Sequence, residues 1–122
     1  MNNTQKWASV LLRVAMALVF IWFGTQQLMR PEQWTSFIPA FINFIPAIKM
    51  VVLNGWFEVV FGVALLIGFY TRLTSFLLAL HLLGIAFTVG LNALGVRDFG
   101  LALATFSIFL NGADFLSLDN KI

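Results

Sequence analysis

Apolar residues fall in four long runs separated by short polar breaks, and that spacing organises the whole chain. The first run extends from about Trp7 to Met29 and the second from about Ala47 to Phe69. The third covers about Arg72 to Leu91 and the fourth about Asp98 to Leu116. Each is close to the roughly 20 apolar residues that a bilayer crossing needs, and too continuous for the strands of a membrane barrel. Local signals mark the ends. Pro46 suits a first helical turn, where its missing N–H costs nothing. Gly68 closes the second run, and Thr71 is placed to cap the third. Asn92, Gly95 and Arg97 read as the loop before the fourth, with Asp98 as its N-cap. Connections this short force neighbouring helices antiparallel. The pattern predicts an all-α integral membrane protein, a single domain over residues 1–122 built as an antiparallel bundle of four transmembrane helices.

The longest connection, Arg30 to Lys49, is not an ordinary loop. Pro31, Glu32 and Gln33 look like a helix start, and Trp34, Phe37, Phe41 and Phe44 recur at spacings of three and four before Pro39 and Pro46 break the run. Such a segment lies on the bilayer surface between helices 1 and 2, either as an interfacial anchor or as a lid over a lipid-soluble ligand.

Composition supports the membrane assignment. Of the 122 residues, 61% are apolar and 10% charged, against about 45–50% and about 25% in soluble domains. A soluble fold of this length has too little interior for so much hydrocarbon, and no separate soluble catalytic domain fits beside the spans. The seven Lys and Arg residues are dispersed, which excludes a nucleic-acid surface. There is no cysteine and one histidine, so no metal, haem or nucleotide is expected. Lys6 before the first run resembles the start of a cleavable signal, but no small-x-small site follows, and the run reads as a membrane helix. Lys6, Arg13, Arg72 and Lys121 lie toward one face and Arg30, Lys49 and Arg97 toward the other, a bias of four to three that places the termini in the cytoplasm.

Polar residues inside the spans carry the functional information. Arg13, Gly24 and Gln27 share a stripe in the first span, and Asn54, Gly55, Glu58 and Gly62 one in the second. Thr74, His81 and Thr88 stand a heptad apart in the third, and Gly100, Ala104, Ser107, Asn111 and Asp114 follow the fourth. Small residues let helices approach, and polar ones hydrogen-bond across the contact. At a rise of about 1.5 Å per residue, Glu58 and His81 fall at similar depth near the midplane, while Arg13, Asn111 and Asp114 fall toward the termini. Two polar layers are expected, with Arg13 long enough to reach Glu58 as well. Glu58 and His81 are the candidate proton-exchanging pair; Arg13, Asn54, Asn111 and Asp114 are candidate ligand-binding or polar-core residues. A plainer reading has all of these fixing helix register only.

The succession Leu11-Leu12-Arg13, Phe20 to Gly24 and Pro31, then Glu58, Gly62, Leu65-Leu66, Gly68 and Thr71-Arg72, resembles the DoxX-like membrane proteins. Asp98-Phe99-Gly100-Leu101 and Ser117-Leu118-Asp119 extend the likeness over nearly the whole chain. At Gln27 the chain departs from the pattern, since many members carry Lys after the first-span glycine. The resemblance implies a four-helix bundle of a bacterial or archaeal cytoplasmic membrane. Relatives include a small subunit of thiosulfate:quinone oxidoreductase, proteins associated with thiol handling and oxidative stress, and distant cargo receptors or assembly chaperones.

Three functions follow. In the first, which the resemblance favours, the chain is expected to be a quinone-interacting subunit of an oxidoreductase system, with a membrane quinone as cofactor and electrons supplied by a partner. Alternatively it is a non-enzymatic scaffold or assembly protein, or a small transporter or pore. Its expected partners are the lipid bilayer and other membrane subunits or further copies of itself.

Overall fold

The structure is a computed structural model that describes residues 3–34, 46–89, 93–114 and 116–120, without the side chains of 88, 89, 94 and 120. Its four α-helices are α1 (Asn3–Met29), α2 (Ala47–Ile67), α3 (Thr71–Val89) and α4 (Ala93–Asn111), and the described residues include no strand. Short 3-10 turns at Pro31–Gln33 and Leu118–Asn120 follow α1 and α4. By length and composition, α1 and α2 are able to cross a membrane, and Thr71–Phe87 of α3 is a shorter apolar stretch.

Neighbour order fixes the directions of α1 and α2. Gly24 lies against Gly55 and Val59, Gly62 against Phe20 and Ile21, and Arg13 reaches Leu65, so numbers rise along one helix as they fall along the other. The helices are antiparallel. The glycines allow this closeness: a Cβ on Gly24 would stand 2.7 Å from the Val59 side chain and 2.8 Å from the Gly55 carbonyl. α1 packs chiefly on α2 and α3 chiefly on α4, with lighter contact between the two hairpins. Met16, Ala17, Phe20, Leu65, Leu78 and Ile108 form the centre of the shared core.

Gly68 ends α2 in the left-handed conformation, with φ of +76°. Its N–H donates to the Leu65 carbonyl and that of Phe69 to the Ala64 carbonyl, the paired bonds of a Schellman turn. No other residue fits there, since a Cβ would lie 2.5 Å from that of Ser117. The residues after α4 therefore fold back over this turn. Asp119 accepts from the Tyr70 and Thr71 amides at 2.8 and 2.7 Å and so caps α3. Sequence reading gives that cap to Thr71, but the Thr71 hydroxyl donates to the Gly68 carbonyl instead.

α4 starts at Ala93, before the expected Asp98. Gly95 is buried, and the helix continues through it because tertiary packing outweighs its poor propensity. Asp98 thus lies inside a helix and caps nothing. Of the aromatic stripe between α1 and α2, Trp34 is described, while Phe37, Phe41 and Phe44 lie outside the described residues, as does the side chain of Thr88.

Candidate functional site

Two polar layers occupy the interior. In the layer near the termini, Arg13 of α1 is buried, and its Nε donates to Asp114 Oδ2 at 2.7 Å. Its Nη1 donates to the Leu65 carbonyl at 3.0 Å and to that of Leu66. These carbonyls end α2, where a cation complements the helix dipole. Asp114 Oδ1 also accepts from the Leu116 amide at 3.0 Å and the Ser117 hydroxyl at 3.2 Å. Arg13 makes no bond to Glu58, contrary to the expectation from its length, because Asp114 and the α2 carbonyls take its donors. Asn111 does not join this layer either. It ends α4 on the exposed side, donates to the Gly112 carbonyl at 3.4 Å and edges a shallow surface hollow with Tyr70 and Arg72.

Glu58 is the centre of the second layer. It is buried on α2, one helical turn beyond Asn54. Asn54 Nδ2 stands 3.3 Å from Glu58 Oε1 and donates to Gln27 Oε1 at 2.6 Å. Gln27 Nε2 reaches Glu58 Oε2 at 3.4 Å. The Gly24–Gly55 approach brings Gln27 to the carboxylate. From α3, His81 Nε2 comes within 3.5 Å of Glu58 Oε1, while its ring lies 4.6 Å from that of Phe57. Although close to Glu58, Nε2 is buried and has no hydrogen-bond partner among the described residues. Such an orphaned group asks for an explanation.

The adjoining space supplies one. A cavity of about 470 Å³ lies among the four helices, lined by Gln27, Asn54, Glu58 and His81 at its polar centre. That volume falls in the range of about 300–1,000 Å³ typical of small-molecule sites. Its remaining wall is mostly apolar, with Phe20, Phe23 and Trp34 among the aromatic contributors. Phe23 and Trp34 meet edge to face at 5.9 Å. The Arg97 guanidinium sits 5.3 Å from the Phe23 ring centroid and donates through Nη2 to Asp98 Oδ1 at 3.2 Å. Asp98, assigned by sequence to a helix cap, is instead a buried cavity residue.

The structure therefore gathers Glu58, His81 and Asn54 at one cavity, pairs Arg13 with Asp114 elsewhere, and leaves Asn111 outside both. Sequence reasoning did not place Gln27, Arg97 and Asp98 at the site. For Gln27 the signal existed, because Gly24–Gln27 and Gly55–Glu58 repeat one glycine-to-polar spacing on facing helices.

Taken together, these features define a small all-helical protein with a largely apolar cavity around a buried carboxylate. The chain belongs to the DoxX family, whose model matches residues 8–91, more than half its length. It is similar to a Bacillus subtilis (strain 168) protein bearing the name "Putative oxidoreductase CatD". The two are 30% identical over 128 residues, covering 98% of this chain and 90% of that relative. No solved structure gives a significant match.

Proposed function

We propose that this DoxX-family chain is an integral protein of a bacterial or archaeal cytoplasmic membrane, its four helices crossing the bilayer and both termini cytoplasmic. We further propose that it serves an oxidoreductase system as a small subunit whose cavity holds the ring of a membrane quinone. Reversed burial supports the membrane reading. Arg13, Glu58, Asp98 and Asp114 are buried, whereas Leu11, Trp22, Leu53, Trp56, Phe87 and Leu110 are exposed. Hydrocarbon, rather than water, is the solvent that suits such an exterior.

The observation that carries the quinone reading is His81 Nε2, buried without a partner beside Glu58 in an aromatic-walled cavity. A quinone would supply reversible two-electron chemistry there, with the electrons coming from a separate redox-active subunit. The chain's own residues position the ring and handle protons. His81 Nε2 holds a hydrogen bond to a ring oxygen, and Glu58 takes up or releases the proton at Oε1. Gln27 and Asn54 orient the carboxylate, while Phe20, Phe23 and Trp34 keep water from the ring.

Photolabelling with an azido-quinone in native membranes tests this reading. Label should concentrate in residues 20–27 of α1 and 80–85 of α3. Label spread over outward residues such as Trp22 and Trp56, without enrichment in those segments, would remove the basis for a quinone site.

A further inference from the structure

The cavity reaches the outside of the bundle through α3. Leu73, Leu80 and Phe87 stand seven residues apart and are all exposed, which marks one outward face of this helix. Gly84 is exposed on the same face, one turn after Leu80 and three residues before Phe87. Yet Leu80 and Gly84 also line the cavity that Glu58 and His81 line. Residues that face outward and still border the cavity mark a breach in its wall. Gly84 accounts for the breach. It has no side chain, and a Cβ built on it would meet nothing within 4 Å, so no neighbour fills the space. His81, three residues earlier, is 23% exposed in its side chain although its Nε2 is buried. Across the gaps between the two hairpins, by contrast, side chains meet. Arg97 lies over Phe23 between α4 and α1, and the rings of Phe57 and His81 stand 4.6 Å apart between α2 and α3.

We propose that Gly84 is a lateral doorway from the bilayer, and that the ligand is a quinone whose apolar tail stays outside in the lipid while its ring reaches Glu58 and His81. This deepens the quinone reading and rests on it. At a rise of about 1.5 Å per residue, Gly84 stands about 20 Å from the start of α3, within a hydrocarbon core about 30 Å thick. Leu80 and Phe87 edge the doorway with hydrocarbon, which suits a tail and offers no partner to a charged headgroup. Lipid chains are as apolar as a leucine side chain, so a tail lying among them gains nothing from added length. The site therefore selects the ring and tolerates tails of different lengths.

The test uses the full chain in lipid nanodiscs and two photoreactive benzoquinones, one with an azide on the ring and one with a diazirine on the tail a few carbons from the ring. Only label displaced by excess unlabelled quinone is counted. Ring label should fall in residues 20–27 and 80–85. Tail label should fall on Leu80 and Phe87, severalfold above Leu73, which shares their face but does not border the cavity. Tail label on Trp34, Arg97 or the inward Phe20 and Leu101, with ring label in place, would overturn the doorway and leave the quinone reading standing. No displaceable ring label would end both. A second measurement compares quinones of short and long tail at equal fraction of the lipid. Ring occupancy should agree within about twofold. A steep rise with tail length would place the tail against protein and overturn the doorway, again without touching the ring site.

Discussion

Arg13 and Asp114, 101 positions apart, meet in a buried ion pair with Nε 2.7 Å from Oδ2 and Nη2 3.4 Å from Oδ1. The pair ties α1 to the segment after α4, and the other Arg13 bonds tie α1 to the end of α2. Bundle closure at the terminal end depends on it. Removing one partner leaves a buried charge uncompensated, which costs about 3–5 kcal/mol. Asp114→Ala should therefore lower the thermal midpoint of the purified protein in detergent sharply. The double change Arg13→Met with Asp114→Ala should be less damaging than the sum of the two single changes.

Two glycines give opposite expectations. At Gly24 a Cβ would press within 2.9 Å of the Val59 backbone nitrogen as well as its side chain, so Gly24→Ala should destabilise the α1–α2 contact by about 1–3 kcal/mol. At Gly84, which lines the cavity, a Cβ meets nothing within 4 Å. Gly84→Ala should be neutral or stabilising by up to about 1 kcal/mol, the helix-propensity gain. Gly84→Leu, adding bulk one turn beyond His81, should keep the thermal midpoint and weaken quinone binding about tenfold.

The Asp119 cap gives a pH dependence outside the helices' apolar stretches. Partial burial pushes its carboxyl upward, but hydrogen bonds from the Thr71 and Tyr70 amides outweigh this and hold it below its ordinary value of 3.8. A carboxyl lowered in the folded state contributes stability above its unfolded value, and that contribution is lost as pH falls through the folded value. The stability difference between the native chain and Asp119→Asn should be full at neutral pH. It should shrink below about pH 4 and vanish in stronger acid. Thermal unfolding of both proteins across that range checks the sign.

Much of this arrangement was legible in the sequence because helix direction and rise convert position into depth. That arithmetic puts Arg13 with Asp114 and Glu58 with His81, as the structure does. It fails where helical phase or helix ends decide. Asn111 has the right depth, yet it terminates α4 on the exposed side, just before the chain turns at Gly112 with φ of +78°. Asp98 followed residues that look like a loop, and burial of Gly95 kept them helical. Arg97 then acquired an aromatic neighbour, Phe23, from a different hairpin, a contact that no local pattern carries. The meeting of Gln27 with Glu58 required knowing how closely Gly24 and Gly55 allow α1 and α2 to approach.

The central claim is that the Glu58–His81 cavity holds a quinone, and native mass spectrometry of protein extracted gently from its own membrane tests it most directly. The account predicts quinone retained at about one per chain, and lost in Glu58→Gln although that variant still folds and is extracted, its thermal midpoint lowered by the lost ligand stabilisation. Partner chains or a homo-oligomer carrying no quinone, with Glu58→Gln indistinguishable from the native chain, would contradict it. The buried polar residues would then serve helix register within a membrane scaffold.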